Sequence, residues 1–403
     1  MNWQNGTWQN SEAGKAQTEI ALCSDWAPIR GFEQIMLKEP LSVYGDLLPE
    51  LQAADVRVVN LECPLADHGE PIYKSGAVFK GKSGHIAALT HVPFEIVTLA
   101  NNHVFDYGHH AFQMTRKFLD ENQIQYLGAG DNLDEAAKPL VLASNNIRLA
   151  LVNFSEGEDL TAAGEKAGVS GWDPDRVVSV VRTLKKDMHA VIVICHAGVE
   201  YIPYPPPYLA MAFQHIAAAG ADLIIGHHPH VPQGIQIHDQ VPVCYSLGNF
   251  VFYQPVDLLW RKLGFFVKAG FNENGLTHMR LVPYEILNAK LRLLKNEKYR
   301  WFLKKLKELS SPLDNTAQTE AAWHGYLRYY GLNGIRSEIK TILDNLKQEP
   351  AKGAAMFRNR INTMQHSQHL TDTLSRIIEG SIDAAPQWAY DRVVEWMTRR
   401  ILE

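Results

Sequence analysis

Seven polar side chains stand out by where they fall in the sequence: Asp25, Glu62, Asn102, His103, His196, His228 and His230. Each comes at or just beyond the end of a short apolar run. Asp25 follows Ile20–Ser24 and Glu62 follows Val56–Leu61. Asn101, Asn102 and His103 follow Ile96–Ala100, His196 follows Ala190–Cys195, and His227-His228-Pro229-His230 follows Leu223–Gly226. Val- and Ile-rich runs of this length suit buried strands. In an α/β sheet, sites form beyond the carboxyl ends of the strands. Carboxylate, amide oxygen and imidazole together suit a divalent transition ion such as Mn2+, Zn2+ or Fe2+. Two such ions about 3.5–4 Å apart, sharing a carboxylate, would activate water toward a phosphoester. A neighbouring imidazole would protonate the leaving oxygen.

Taken singly, most of these residues have a plainer explanation. Asp25 after a strand is a turn or a helix cap, and Glu62 before Cys63-Pro64 is a solvated carboxylate. Asn101-Asn102-His103 is a turn, since Asn tolerates left-handed backbone. His196 alone is a satisfied core imidazole, and Asp106 caps a helix beginning near Tyr107. The group His227 to His230 resists such an explanation, because imidazoles at that spacing seldom serve packing. Jointly the set points to a metal centre. Arg30 either meets a phosphate or carboxylate of a substrate or makes a surface salt bridge. Glu200 either contacts substrate or a ligand histidine or is a solvated loop residue.

The elements that must position these groups alternate. Between the apolar runs lie helical patterns at Ala111–Asn122, at Pro174–Lys186 with Asp173 as N-cap, and at Pro207–Ala219 ending at Gly220. Strand and helix in turn predict an α/β domain, with the last strands, from Val241 on, pairing antiparallel. Tyr201 to Tyr208, rich in Pro, predicts a rigid loop. After Leu287 the pattern becomes helical, with candidates at Tyr299–Leu309, Thr316–Tyr329, Gly334–Lys347, Ala351–His366, His369–Glu379 and Pro386–Leu402. The chain is therefore expected to divide into a flexible segment 1–18, an α/β domain 19–290 and a helical domain 291–403. Those helices either cap the site and select substrate or associate with a protein partner or a second copy. The apolar spacing within Ala354–Ile378 fits core better than partner surface.

With 403 residues, 46% of them hydrophobic and 21% charged, the composition is that of an ordinary globular protein. A net charge of −5 argues against a general nucleic-acid binder. No apolar run approaches the length of a membrane span, and residues 1–18 lack the pattern of a secretory signal. The four cysteines, Cys23, Cys63, Cys195 and Cys244, form no C-x-x-C pair. They read as small buried hydrophobes in a reducing cytoplasm rather than as ligands.

The motifs also carry a family resemblance. Val59-Asn60-Leu61-Glu62-Cys63-Pro64-Leu65, the stretch Leu99 to Gly108 around Asn102-His103, Gly128-Ala129-Gly130, His196 to Tyr201, Gly220 to Gln233 and Tyr245 to Phe252 resemble the CapA family. These are capsule and poly-γ-glutamate synthesis proteins related to calcineurin-like metallophosphoesterases. The resemblance covers about residues 19 to 255 and leaves the helical third uncovered. It implies a four-layer α/β/β/α metallophosphoesterase-like sandwich with an appended C-terminal helical domain, and a site binding one or two divalent ions. Carried over by position, Asp25 is the first-strand ligand, Glu62 the bridging carboxylate, Asn102 and His196 further ligands, and His228 and His230 the closing pair. His103 becomes the acid or orienting group, while His227 has no clear part. The implied substrate is an anionic small molecule or polymer-linked group, and the alternative activity is a non-hydrolytic accessory or binding role in making such a polymer. One departure matters: the phosphoesterase pattern Asp-x-His reads Asp25-Trp26-Ala27 here. The first ion is left with Asp25, Glu62 and His230, the second with Glu62, Asn102, His196 and His228.

Overall fold

The computed structural model describes residues 1–156 and 165–401. Its strands run in chain order as β1 (Thr7–Gln9), β2 (Thr18–Trp26), β3 (Val56–Leu61), β4 (Ile96–Thr98), β5 (Gln125–Leu127), β6 (Ala129–Gly130), β7 (Leu140–Ser144), β8 (Ile147–Ser155), β9 (Gly168–Val169), β10 (Ala190–His196), β11 (Leu223–His227), β12 (Ile235–His238), β13 (Val241–Cys244), β14 (Asn249–Val251), β15 (Leu263–Asn272), β16 (Gly275–Leu287) and β17 (Lys290–Leu293). Among them lie α1 (Glu33–Lys38), α2 (Leu48–Gln52), α3 (Ile86–Thr90), α4 (Gly108–Glu121), α5 (Leu133–Ala136), α6 (Pro174–Leu184) and α7 (Pro207–Ala218). After β17 come α8 (Asn296–Ser310), α9 (Thr316–Gln348), α10 (Pro350–Asn362), α11 (Met364–Ile378) and α12 (Gln387–Thr398).

Two main sheets form. One is ordered β1-β16-β15-β2-β3-β4-β5, with β14 also on β2 and β17 on β16; the other is ordered β12-β13-β11-β10-β8-β7. In the first, β2 to β5 run parallel. In the second, β8, β10, β11 and β13 do. β10 reads Ala-Val-Ile-Val-Ile-Cys-His with every residue buried, the continuous apolar run of a parallel strand covered on both faces. Its residues alternate between layers, as side chains on a strand must. Ala190, Ile192 and Ile194 enter a core shared with Leu22 and Val58 of the facing sheet, whereas Val191, Val193 and Cys195 pack with Val181 of α6 and Phe213 of α7. A third core, holding Met36, Leu89 and Phe112 of α1, α3 and α4, covers the far face of the first sheet. The result is the four-layer α/β/β/α sandwich that the family resemblance implies.

Local signals act where expected. Asp173 accepts a hydrogen bond from Arg176 N at 3.0 Å and caps α6, whose first residue is Pro174. Gly220, just past α7, has φ +110°. The expected helices at Thr316–Tyr329 and Gly334–Lys347 are two halves of α9, broken at Gly331 with φ +48°, a conformation that suits glycine.

The structure differs from expectation in three places. Segment 1–18 contributes β1, which pairs antiparallel with β16, and Trp8 inserts into the inter-sheet core. Residues 290–293 are still strand. Beyond them α8 buries Phe302, Leu303, Leu306 and Leu309 in that same core, because its apolar stripe meets the sheets rather than other helices. The separate helical layer therefore begins at α9. After Val241, β15–β16 and β12–β13 pair antiparallel as expected, but β13 lies parallel to β11 and β14 parallel to β2. The chain changes sheet between β13 and β14, so each meets a strand from earlier in the sequence. The helical layer docks through Trp323, Leu327 and Val393, which cluster with Ile202 of the Pro-rich loop.

Gly226 lies in β11 next to the histidines. A Cβ there would stand 2.0 Å from the Tyr245 carbonyl oxygen, which is backbone. Gly226→Ala is expected to destabilise the fold by about 1–3 kcal/mol, the usual cost of forcing volume into a packed interior, read as a lower urea midpoint. An unchanged midpoint would show that β11 and the Tyr245 backbone are not held so closely.

Candidate metal centre

The parallel strands of both sheets end at one edge, where segments from five of them meet. Asp25, near the end of β2, accepts from Asn60 Nδ2 of β3 at 2.8 Å; the same amide nitrogen lies 3.2 Å from His196 Nδ1. His196, the last residue of β10, has its Nε2 3.3 Å from Glu62 Oε1, 3.0 Å from Asn102 Oδ1 and 3.1 Å from His228 Nδ1. His230 Nδ1 is 3.5 Å from Asp25 Oδ2, and its Nε2 is 3.7 Å from Glu62 Oε1. The ligand atoms of two triads, Asp25–Glu62–His196 and Glu62–His228–His230, each lie within 4.8 Å of one another, and Glu62 belongs to both. Asp25, Glu62, Asn102, His103, His196, His228 and His230 are all buried.

Neighbouring amides orient the donors. Asn249 Nδ2 donates to the carbonyls of His230 and Arg261, so its Oδ1, 2.9 Å from His230 Nδ1, accepts from that nitrogen. The His230 lone pair is then on Nε2, toward Glu62. Asn101 staples the turn that carries Asn102 and His103. Its Oδ1 accepts from His103 N and Val104 N, and its Nδ2 donates to Asn60 Oδ1 and to the Leu61 carbonyl. His228 and His230 have φ +97° and +55°, left-handed conformations that cost a non-glycine residue about 1–3 kcal/mol each and gather at functional sites.

The electrostatics favour a cation. Neither carboxylate oxygen of Glu62 has a hydrogen-bond partner among the described residues. Burial, reinforced by the charges of Asp25 and Glu200, pushes its carboxyl well above the usual range. Burial also tends to raise Asp25, but the imidazoles of His196, His227 and His230 outweigh it and hold that carboxyl well below its ordinary value. A buried carboxylate with both oxygens unsatisfied is costly, and a cation shared by it and the imidazoles would remove the cost. The donor set of two carboxylates, an amide oxygen and imidazoles fits a divalent transition ion.

Sequence reasoning missed several supporting groups. Asp106 does not cap α4, which begins after Tyr107 without a side-chain cap. Its Oδ2 instead pairs with His103 Nδ1 at 2.6 Å, and its Oδ1 accepts from Lys74 Nζ at 3.0 Å. Lys74 is buried and also donates to the Asn102 carbonyl. Asn60, an Asn inside a Val-rich strand, was a readable signal because Asn is depleted in strands. Lys74 gave none. Ala27 is fully buried beside Ile29, Cys63 and Phe252 and offers no ligand. All four cysteines are free and buried. His227 Nδ1 lies 3.2 Å from Ser24 Oγ.

A cavity of about 370 Å³ adjoins the cluster, lined in part by Arg30, His103, Glu200, Tyr201, His230 and Arg261. Arg30 is exposed and donates to the Tyr253 carbonyl at 3.1 Å. The Arg261 guanidinium lies 3.5 Å from the centroid of the Tyr201 ring, which stacks on His230. Glu200 is half-buried. Burial alone would raise its carboxyl, but His230 and His228 hold it below the ordinary value. A second cavity, about 510 Å³, shares Gly76, Glu200 and Tyr201 with the first and reaches the helical layer at Tyr326, Arg360 and Gln365. A larger cavity of about 730 Å³, between α7, α9 and α11, holds none of the seven residues.

A sequence profile described as "Bacterial capsule synthesis protein PGA_cap" matches residues 19–254. The chain is similar to a capsule biosynthesis protein CapA of Bacillus anthracis, 30% identical over 278 residues, which cover 65% of this chain and 67% of that one. It is similar to a PGA biosynthesis protein CapA of Bacillus subtilis, 28% identical, with 62% of this chain and 66% of that one covered. It also resembles a probable polyglutamine synthesis accessory protein of Mycobacterium tuberculosis, 29% identical, with 55% and 64% covered. The matched stretch thus spans about two thirds of these relatives' own length. Among solved structures, a hypothetical protein of Thermus thermophilus has TM-score 0.41 at 14% identity, covering 66% of this chain and 99% of that one. A 5'-nucleotidase precursor of the same organism has TM-score 0.40 at 13% identity, covering 73% and 59%.

Burial holds His196 and His227 below the ordinary imidazole value and pulls His230 down to about 4, against the raising effect of the nearby carboxylates. The unfolded chain protonates these three rings near pH 6.5. Between about pH 6.5 and 4, then, it binds more protons than the fold does, and stability falls as pH falls. Glu62, whose carboxyl burial holds above the usual range, acts in the opposite sense, against three rings that act together. For chelator-treated protein the urea midpoint should therefore drop from pH 7 to pH 4.5, and drop more steeply in Glu62→Gln. A midpoint flat across this window would contradict neutral buried imidazoles.

Proposed function

We propose that this chain, which belongs to the bacterial capsule synthesis protein family, is a hydrolase of phosphoester bonds working with one or two divalent metal ions. The observation that carries the reading is Glu62: a buried carboxylate with no hydrogen-bond partner among the described residues, belonging to two triads of ligand atoms. Glu62 would be shared, with Asp25 and His196 in one triad and His228 and His230 in the other, and with Asn102 Oδ1 3.0 Å from His196 Nε2; the pairing by proximity differs from the one the family resemblance implies. Mn2+, Zn2+ or Fe2+ held there would supply Lewis acidity and lower the pKa of water.

The chain's own groups then divide the remaining work. Asp106 engages His103 Nδ1 at 2.6 Å, so a proton handed to the leaving oxygen would depart from Nε2, with His103 as the general acid. Lys74, bonded to both Asp106 and the Asn102 carbonyl, keeps acid and ligand in register. Arg30 and Arg261, on the wall of the cavity, are placed to receive an anionic substrate, and Glu200 contacts substrate or steadies the histidines. The relatives are named for capsule, PGA and polyglutamine synthesis. A phosphate-bearing small molecule or a polymer-linked anionic group is accordingly the substrate class proposed. The free, buried cysteines suit a reducing compartment, and the reading places the reaction in the cytoplasm. No described helix is long and apolar enough to cross a membrane.

Ala27 favours a second reading. One ion has a donor fewer than the Asp-x-His pattern supplies, and apolar neighbours surround the position. A protein that binds its anionic ligand without turning it over, as an accessory to polymer synthesis, would tolerate that loss.

Elemental analysis of purified protein, followed by a phosphoester panel with the metal found, separates the readings. Hydrolysis is expected with at least one divalent ion per chain, and Asn102→Ala and His228→Ala are each expected to lower turnover at least about 100-fold, beyond what loss of an outer partner costs. Protein that retains no divalent ion at any pH above 7 would end the metal reading. Tight ligand binding without turnover would select the second.

A further inference from the structure

We infer that Gln365 of α11 is a positioning residue for His228, and that the helical layer thereby completes the metal centre. The inference rests on the metal reading of that centre. Gln365 is buried and lies outside the stretch matched by the family profile, yet its amide reaches 2.9 Å from His228 Nε2. The amide nitrogen faces Glu156 Oε2 at 3.0 Å and the Gly198 carbonyl, while the amide oxygen faces His366 Nε2 at 3.1 Å. Glu156 is itself fixed, since it accepts from Gly198 N at 3.0 Å and from Tyr208 Oη at 2.5 Å.

The consequence for His228 is geometric. With Nε2 engaged by Gln365, the nitrogen left to face the cluster is Nδ1, which lies 3.1 Å from His196 Nε2. With the amide nitrogen toward Glu156 and Gly198 it donates to His228 Nε2 and the ring proton sits on Nδ1; for Nδ1 to offer a lone pair to an ion, the amide turns so that its oxygen accepts from Nε2–H. His228 needs such a hold, because its left-handed backbone lies outside the usual preferences that set a side chain's direction.

The rest of the layer is anchored so that the contact is repeatable. Lys352 Nζ of α10 donates to the carbonyls of Lys74 and Gly76, each at 2.8 Å, and Arg360 Nη1 donates to Ser75 Oγ at 3.0 Å. The helices thus grip the segment that carries Lys74 on one side of the centre and hold His228 on the other.

The test uses the full chain and Mn2+ as probe. Gln365→Met keeps length without hydrogen bonding, and Gln365→Asn keeps the amide but falls a methylene short. Both are expected to weaken Mn2+ binding about tenfold or more, the usual effect of losing a group that orients a ligand histidine, and to change the visible spectrum of Co2+-loaded protein. Gln368→Met alters the same helix at a residue bonded to Asp372 and is expected to leave both readouts unchanged. Wild-type affinity and an unaltered Co2+ spectrum in the two Gln365 variants would overturn the inference. So would an equal loss in Gln368→Met, which would mean that α11 had merely loosened. If the wild type itself binds neither ion, the metal reading fails, and this inference falls with it for that separate and visible reason.

Discussion

Everything at the edge of this sandwich depends on carboxyl groups placed where water cannot solvate them. Glu62 is wholly buried and its oxygens have no hydrogen-bond partner among the described residues, while Asp25 next to it is surrounded by three imidazoles. Such a carboxylate is tolerated in a fold only when something else compensates it. Burial holds His196, His227 and His230 below the ordinary imidazole value, so near neutral pH charge is not the main thing they offer. They contribute lone pairs instead. Imidazole nitrogens within about 4 Å of a buried carboxyl group that has no hydrogen-bond partner among the described residues make a site suited to a cation.

The two sheets exist in the form they do because that convergence has to be rigid. Asp25 and Asn60 come from one sheet and His196 and His227 from the other, and contacts of about 3–4 Å cross between them. A displacement of either layer by an ångström would separate the donors. The continuous inter-sheet core from Trp8 to Phe302 resists such sliding, because close-packed interiors transmit strain rather than absorb it. Strain is accepted locally, at His228 and His230, where the chain turns sharply to aim two rings from one short loop.

Much of this was legible in the sequence, and for identifiable reasons. Strand ends followed by ligand-type residues place Asp25, Glu62, Asn102, His196 and His228 at one edge, because the period of a strand and the parallel order of an α/β sheet leave them nowhere else to go. Partners that depend on distant packing were less legible. Asp106 sits three residues after His103, a spacing that a helix cap and a hydrogen-bond partner explain equally well, and only the folded contact, Asp106 Oδ2 at 2.6 Å from His103 Nδ1, decides between them. Lys74 and Gln365 lie in stretches with no chemical pattern of their own. The division into domains misled for a related reason: α8 has the periodicity of any amphipathic helix, and periodicity does not say whether its stripe meets a sheet or another helix.

The end of the chain returns to the sandwich. Trp396 of α12 stacks on Trp260 with ring centroids 3.6 Å apart, and Arg400 bridges to Leu258. The stretch from α9 to α11 is therefore tethered at both ends, by α8 inside the core and by α12 on Trp260, and behaves as an inserted loop rather than a tail. A loop pinned twice has a high effective concentration at its docking surface and loses little entropy when it seats. Single contacts in the layer can accordingly be weak and still be made nearly all the time.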